Sequence, residues 1–466
     1  MKTPFFSIFI VFLIIIPVSG FAITLEEALQ EAMLHSQEMK MAEYDVDSAK
    51  AQANELVSFT LPQISLRAGH AIMGADKENP FDNLIGESVD FSSIDSDKAA
   101  LLSPGDYVVL GYINDTYTDM LHELHPYFEL PEEQDTAALT LSQVIFSGGN
   151  VWRSWGLRKN LITQADLAKR MAVIDIRKNV KSAFHKVLFQ DSYLKILKDR
   201  VAQCEEELND ARDLLNAGLV TSLDLRNAKL KINIALNGLK EAEVSFRDSL
   251  IDFNTVIGRS VDKPLLMPKG MLDRGWKLVE KIKTLEKKLS EESLLSFELI
   301  KRKKEGFKMK AKMAAGEYLP KLALLGGMEY TNNYDIEEYT SWTAGAQLSW
   351  DLFKGGAKRS RRVDALSAMH KADEELTKVR KETGSLVSKL TEQAKTLNYR
   401  IDLQQEAVSI AAENYNDARS QYRAGTLTQT QMGEFHLAYS EARFGLLQLY
   451  FMERELEIAI EALLEE

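Results

Sequence analysis

The chain has 466 residues, 45% of them hydrophobic and 27% charged, the make-up of a folded protein rather than a disordered one. A single cysteine, Cys204, excludes a disulfide framework and any cysteine-built zinc site. With 57 basic against 69 acidic residues, the net charge of −12 argues against nucleic acid as a partner, and the slightly negative mean hydropathy argues against a bundle of membrane-spanning helices.

Residues 1–22 read as a secretory signal: Lys2, an apolar run from Phe5 to Ile16 broken only by Ser7, then Gly20-Phe21-Ala22 with small residues at the −3 and −1 positions. The run is too short to span a bilayer, which takes about 20 residues. Residues 23–60 follow as an N-terminal helix. Residues 61–147 read as a first β-hairpin. Ile64, Leu66, Ala68 and Ile72 oppose Gln63, Ser65, Arg67 and Gly69, and the return strand lies near 137–147. The insert at 74–136 carries fifteen Asp or Glu against Lys77 and Lys98, and the rest of the mature chain is neutral. It reads as a surface loop, or as a divalent-cation site. His122-Glu-Leu-His125 is one residue short of the spacing a zinc protease needs, so no catalytic metal is expected.

Residues 148–257 read as a long helical hairpin. About 66 proline-free residues carry Ile174, Val180, Phe184, Val187, Leu188, Leu194, Leu197 and Val201 at three- and four-residue steps. Such a helix is roughly 100 Å long and needs lateral partners to bury its stripe. Gly218 suits a tight reversal into a second helix of about 35 residues. A Pro-containing linker, 258–270, leads to a helix at 271–318 and a second β-hairpin at 319–353. Its alternating stretches are 321–332 and 341–352, with Tyr334 to Tyr339 as the connection. Both stretches have the length of tilted transmembrane strands, although a half-buried soluble hairpin shows the same alternation. Residues 354–466 form a second long helical hairpin reversing at Gly425.

The second half rewrites the first. Leu141-Ser-Gln-Val-Ile-Phe-Ser-Gly-Gly149 matches Leu348-Ser-Trp-Asp-Leu-Phe-Lys-Gly-Gly356, and Asn216-Ala-Gly-Leu-Val-Thr221 matches Arg423-Ala-Gly-Thr-Leu-Thr428, both at an offset of 207. Leu61-Pro and Leu319-Pro match at 258, so the first copy holds 51 extra residues. The fold class is therefore mixed: long antiparallel helical hairpins plus four transmembrane β-strands per chain, in two internal repeats. Four strands cannot close a barrel, and an open edge does not survive in lipid. Two chains supply eight strands and three supply twelve; arithmetic does not choose.

Taken together, the Leu-Pro strand openings, the Phe-Ser-Gly-Gly and Phe-Lys-Gly-Gly strand ends and the two Ala-Gly turns resemble the TolC-like outer membrane efflux proteins over the whole mature chain. The resemblance implies a homotrimer with a twelve-stranded β-barrel in outer-membrane lipid and a twelve-helix tunnel, or α-barrel, through the periplasm. It implies an exit duct for an efflux pump or type I secretion system, working with a periplasmic adaptor and an inner-membrane transporter, and no cofactor.

The same resemblance assigns sites. The adaptor-contacting tips are Ala217, Gly218, Leu219, Val220, Thr221 and Ser222, with Ala424, Gly425, Thr426, Leu427, Thr428 and Gln429; a plain turn cap explains the two glycines equally well. The family's aspartate pair falls on Gln431 and Glu434, and on Asp224 and Asn227 in the first copy. A ring of Glu434 carboxylates would make a cation-selective entrance constriction; the alternative is a solvated helix face. Trp152 and Trp155 in one copy, and Lys358, Arg359, Arg361 and Arg362 in the other, are interfacial residue types that would anchor the barrel at the membrane surface. Lys301-Arg-Lys-Lys304 reads as a solvated face and Cys204 as a packing residue. A periplasmic coiled-coil adaptor or scaffold without a pore is the rival reading. No P-loop, dinucleotide, nucleophile-elbow or metal-triad motif supports an enzyme.

Overall fold

The computed structural model describes residues 22–72, 133–260, 262–275, 278–333 and 336–466, with isolated positions between 109 and 120. The signal segment before Ala22, most of the acidic insert, its cation-site reading, His122 and His125 lie outside the described residues. The chain divides into two units. One comprises residues 1–54, 156–311 and 361–466, the other residues 55–155 and 312–360.

The first unit is helical. It holds α1 (Leu25–His35) and most of α2 (Gln37–Ser58), α3 (Asn150–Asn216), α4 (Ser222–Val256), α5 (Leu278–Ser290), α6 (Leu295–Gly316), α7 (Ala357–Arg423) and α8 (Gln429–Glu465). Both α3 and α7 are 67 residues long, and α4 and α8, of 35 and 37, run back. All eight expected stripe residues of α3 are buried. Val180, Phe184, Val187 and Leu188 pack against Leu250, Phe253 and Ile257, with Phe184 and Phe253 edge to face at 5.9 Å, while Leu194 and Leu197 pack against Ala242 and Ile174 against Leu295. Ala28 and Ala32, fully buried, let α1 join this core. A second core joins α5, α7 and α8 around Leu285, Ile401 and Ile460.

Ion pairs cover these cores. Lys281 bridges Glu457 and Glu461 at 2.6 and 2.5 Å, and Lys181 reaches Glu461 at 2.8 Å. Lys301, Arg302, Lys303 and Lys304 are each paired, with Glu292, Glu298 and Glu305, Glu375 and Asp373. The expected solvated face is thus a salt-bridged one. Cys204 is buried beside Val201 and Ala235, as expected of a packing residue.

Three expectations need correction. The helix at 23–60 is two helices, because Ser36 is extended, with ψ 145°; its hydroxyl accepts from Met39 N at 3.2 Å, starting the second. The break brings Gly258 so close that a Cβ there would lie 2.5 Å from His35 backbone. The 258–270 linker contains a short strand, β4 (Met267–Pro268), parallel to β1 (Ala22–Ile23). The stretch at 271–318 is also two helices, α5 and α6, separated where Glu292 takes φ 51°.

The second unit carries one antiparallel sheet in the order β2 (Gln63–Ile72), β3 (Glu133–Ser147), β5 (Lys321–Asn333), β6 (Ile336–Ser349). β3 starts four residues earlier than expected. β6 starts at Ile336, so the second hairpin connection is shorter than Tyr334 to Tyr339. Trp350 and Leu352 fall beyond the strand, where the Trp350 indole donates to Tyr318 O at 3.0 Å. Register places Leu66, Leu139, Met328 and Trp342 side by side, and Ile64, Leu141, Gly326 and Ala344 in the next row. Opposite them run Ser65, Thr140, Gly327 and Thr343. One face is therefore apolar across all four strands and the other mostly polar. Gly148, at φ 62°, ends β3; a Cβ there would sit 2.0 Å from Gly316 O.

Candidate functional site

Each hairpin tip is built from the same parts. Gly218 (φ 72°) donates to Leu215 O at 3.0 Å and Leu219 N donates to Leu214 O at 2.9 Å. Gly425 (φ 73°) donates to Tyr422 O at 2.9 Å and Thr426 N donates to Gln421 O at 3.0 Å. Both are Schellman ends, which need the left-handed residue that glycine supplies. Thr221 and Thr428 then cap the return helices, each in a capping box closed by the third residue on, Asp224 or Gln431. The Thr221 hydroxyl and then its N–H hold the Asp224 carboxyl below the usual range.

This geometry sorts the sequence-derived sites. Ala217, Gly218, Leu219, Thr221 and Ser222 are exposed at the first tip, as are Ala424, Gly425, Thr426 and Thr428 at the second; Val220 and Leu427 are half-buried. Gln429 is corrected: its side chain is buried and donates to Glu207 at 3.4 Å, so it faces α3 and not solvent. Of the four entrance candidates, Asp224 and Gln431 are engaged in caps and Asn227 is half-buried. Glu434 is exposed and, among the described residues, has no hydrogen bond or ion pair. The sequence reading missed the caps, although Thr221-Ser-Leu-Asp224 is a capping-box pattern in its own right.

Among the anchor candidates Trp152 is 81% exposed, and Arg359, Arg361 and Arg362 are exposed on α7. Lys358 is corrected. It is buried, donates to Asp351 O and lies over the Tyr318 ring, so its charge is not offered to a membrane surface.

Among the described residues, no layer covers the apolar face of the sheet: Leu66, Trp342 and Leu348 are 73%, 78% and 69% exposed. Such a continuous apolar surface marks lipid or a partner. No described helix is long and apolar enough to cross a membrane, and no group of described side chains forms a metal site.

A family model described as outer membrane efflux protein matches residues 28–259 and 307–451. No curated protein sequence matches. Several solved structures share the fold. The outer membrane protein VceC from Vibrio cholerae superposes with a TM-score of 0.70 at 13% identity, covering 94% of this chain and 95% of that one. The CmeC outer membrane channel of Campylobacter jejuni gives 0.70 at 12%, covering 94% and 84%. The open-state MtrE outer membrane channel of Neisseria gonorrhoeae gives 0.66 at 11%, covering 94% and 88%. With the family match spanning most of the sequence, the chain belongs to the outer membrane efflux protein family and resides in the outer membrane.

Proposed function

We propose that this chain is one third of a passive exit duct. Three copies close a twelve-stranded barrel from their sheets and a twelve-helix tunnel from their hairpins, which extends into the periplasm. The observation that carries this reading is the sheet: an exposed apolar face, a mostly polar opposite face, and two end strands, β2 and β6, whose outer edges are unpaired among the described residues. In lipid each unpaired backbone group costs several kcal/mol, roughly, so the edges require partners. A copy of the same chain supplies one by joining its β2 to the neighbour's β6.

The exposed tips are where a periplasmic adaptor docks, and cargo is handed over by an inner-membrane transporter, in an efflux pump or a type I secretion system. Glu434, solvent-facing and unpaired, is the residue that gives the entrance its preference for cations; Asp224 and Gln431 position the return helices instead. Trp152, Trp155, Arg359, Arg361 and Arg362 hold the barrel at the membrane surface.

Edge-strand cross-linking tests the reading. Ser65→Cys on β2 is combined with single cysteines scanned along 341–347 of β6, in a Cys204→Ala background. Covalent trimers as the largest species are expected. Dimers as the largest species would indicate two-chain closure, and monomers alone would refute the duct.

A further inference from the structure

The two hairpins meet along a seam of acidic side chains from α3 and basic ones from α7 and α8. Arg443 donates to Asp199 at 2.9 Å, Arg419 to Glu206, and Arg423 to Asp210 through Nε and Nη2 at 3.0 and 3.3 Å. Each of these pairs has an exposed member and is weak in solvent. Guanidinium groups keep their charge, so none of the three responds to mild changes of pH.

One contact inside the seam differs. Glu207 of α3 and His436 of α8, each eleven residues from its tip glycine, are 1% and 4% exposed, with Nδ1 2.8 Å from Oε1. The approach is close but off the line of a hydrogen bond, since Glu207 Oε1 has no hydrogen-bond partner; on the far side of the ring His436 Nε2 has none either. The other carboxylate oxygen takes only the 3.4 Å bond from Gln429. Among the described residues, seven buried side-chain N or O atoms have no hydrogen-bond partner. Five are here: these two, Gln429 Oε1, the Tyr422 hydroxyl and Arg419 Nε. A buried polar cluster so poorly satisfied calls for a role beyond stability.

The charged groups around it are engaged with other partners. Arg419 is held by Glu206, Asp210 by Arg423, and Asp224 by Thr221. Lys231 of α4 donates to Gln429 O at 3.1 Å, passing over Gly433, where a Cβ would meet its Nζ at 1.7 Å. Burial pushes the Cys204 thiol up to about 11 and the Tyr422 phenol up to about 12; Tyr415, whose ring lies 5.0 Å from that of His436, is pushed higher. All three stay protonated in neutral solution.

We propose that Glu207 and His436 form a proton-operated latch joining the two hairpins of one chain near their tips. With a proton on the ring the contact is imidazolium to carboxylate, and no uncompensated charge is buried. Without it, a buried carboxylate faces a neutral ring to which it is not hydrogen-bonded, an arrangement that costs free energy until water reaches Glu207. Histidine is the side chain that changes charge in the range from mildly acidic to neutral pH. The latch closes as pH falls through that range and releases as pH rises.

Spin labels at Leu219→Cys and Thr426→Cys, in a Cys204→Ala background and with labelled chain diluted by unlabelled chain, report the tip-to-tip distance within one protomer. Between about pH 5.5 and about pH 8 the distance is expected to lengthen. In Glu207→Gln, which removes the buried charge, it stays short at both values. In His436→Gln, which keeps the charge and removes its partner, it stays long at both. Arg423→Gln retains the shift. An unchanging distance in the parent chain, or a shift that persists in either Glu207→Gln or His436→Gln, overturns the latch. The measurement needs no conduction, so it stands apart from the duct reading, which a loss of conductance alone would damage.

Discussion

Leu and Ala make up similar shares of the sheet and of the helical hairpins, but the two dispose of them in opposite ways. In the hairpins, Val180, Val187, Phe253 and Ile401 are fully buried and the surface is laced with ion pairs such as Lys281 with Glu457. In the sheet, Leu66, Trp342 and Leu348 face outward and the polar row of Ser65, Thr140 and Thr343 lies opposite. A sequence that obeys the hydrophobic effect in one unit and inverts it in the other is written for two solvents. The hairpins sort side chains for water; in the duct proposed above, the sheet sorts them for lipid.

Substitutions test the contrast between the two units. The largest effect is expected at Phe253→Ala, which empties the core beside Phe184 and should cost about 3–5 kcal/mol in denaturant unfolding of the helical unit. Next is Leu139→Arg on the outward sheet face. For a protein in water an exposed site tolerates such a change within about 0.5 kcal/mol. Facing lipid near mid-membrane, it should cost about 2–4 kcal/mol, read as lost stability in bilayers, while Thr140→Arg on the opposite face should cost far less. Equal effects at the two sites would erase the distinction between the faces.

Smaller effects belong to the tips. Thr428→Ala removes the cap of α8 and should cost about 1 kcal/mol, with faster amide exchange in the first turn of that helix. At the first tip the cap is pH-dependent. The Asp224 carboxyl is held low, so its contribution is present above the unfolded carboxyl value and is lost as pH falls through the lower folded one. Exchange at residues 222–226 should therefore rise below about pH 4, and Asp224→Asn should remove the dependence. Least of all, Arg423→Gln, at an exposed pair, should change stability by under about 1 kcal/mol.

Periodicity made the long elements legible. Alternation in 321–332 and the stripe from Ile174 to Val201 each match one element, and Gly218 and Gly425 mark both reversals. What stayed hidden depends on which surfaces meet. Ser36 is a cap-forming residue type, but a lone serine inside a helical pattern does not announce a break; Gly258, 222 residues away, approaches the chain at that point. Gln429 looks like a tip residue by position, and Lys358 like a membrane anchor by type. Each is buried by a partner distant in sequence or by a turn of the chain upon itself. The seam was invisible for the same reason: helical spacing says that Glu207 and Cys204 share a face of α3, not that His436 faces them.

In the proposed duct, copies of this chain complete one another's sheet and together enclose a water-filled path. Purified mature protein reconstituted into planar bilayers tests it most directly. Discrete conductance steps that favour cations are expected, with the preference reduced in Glu434→Ala. Bilayers that remain ion-tight with the protein incorporated would contradict it.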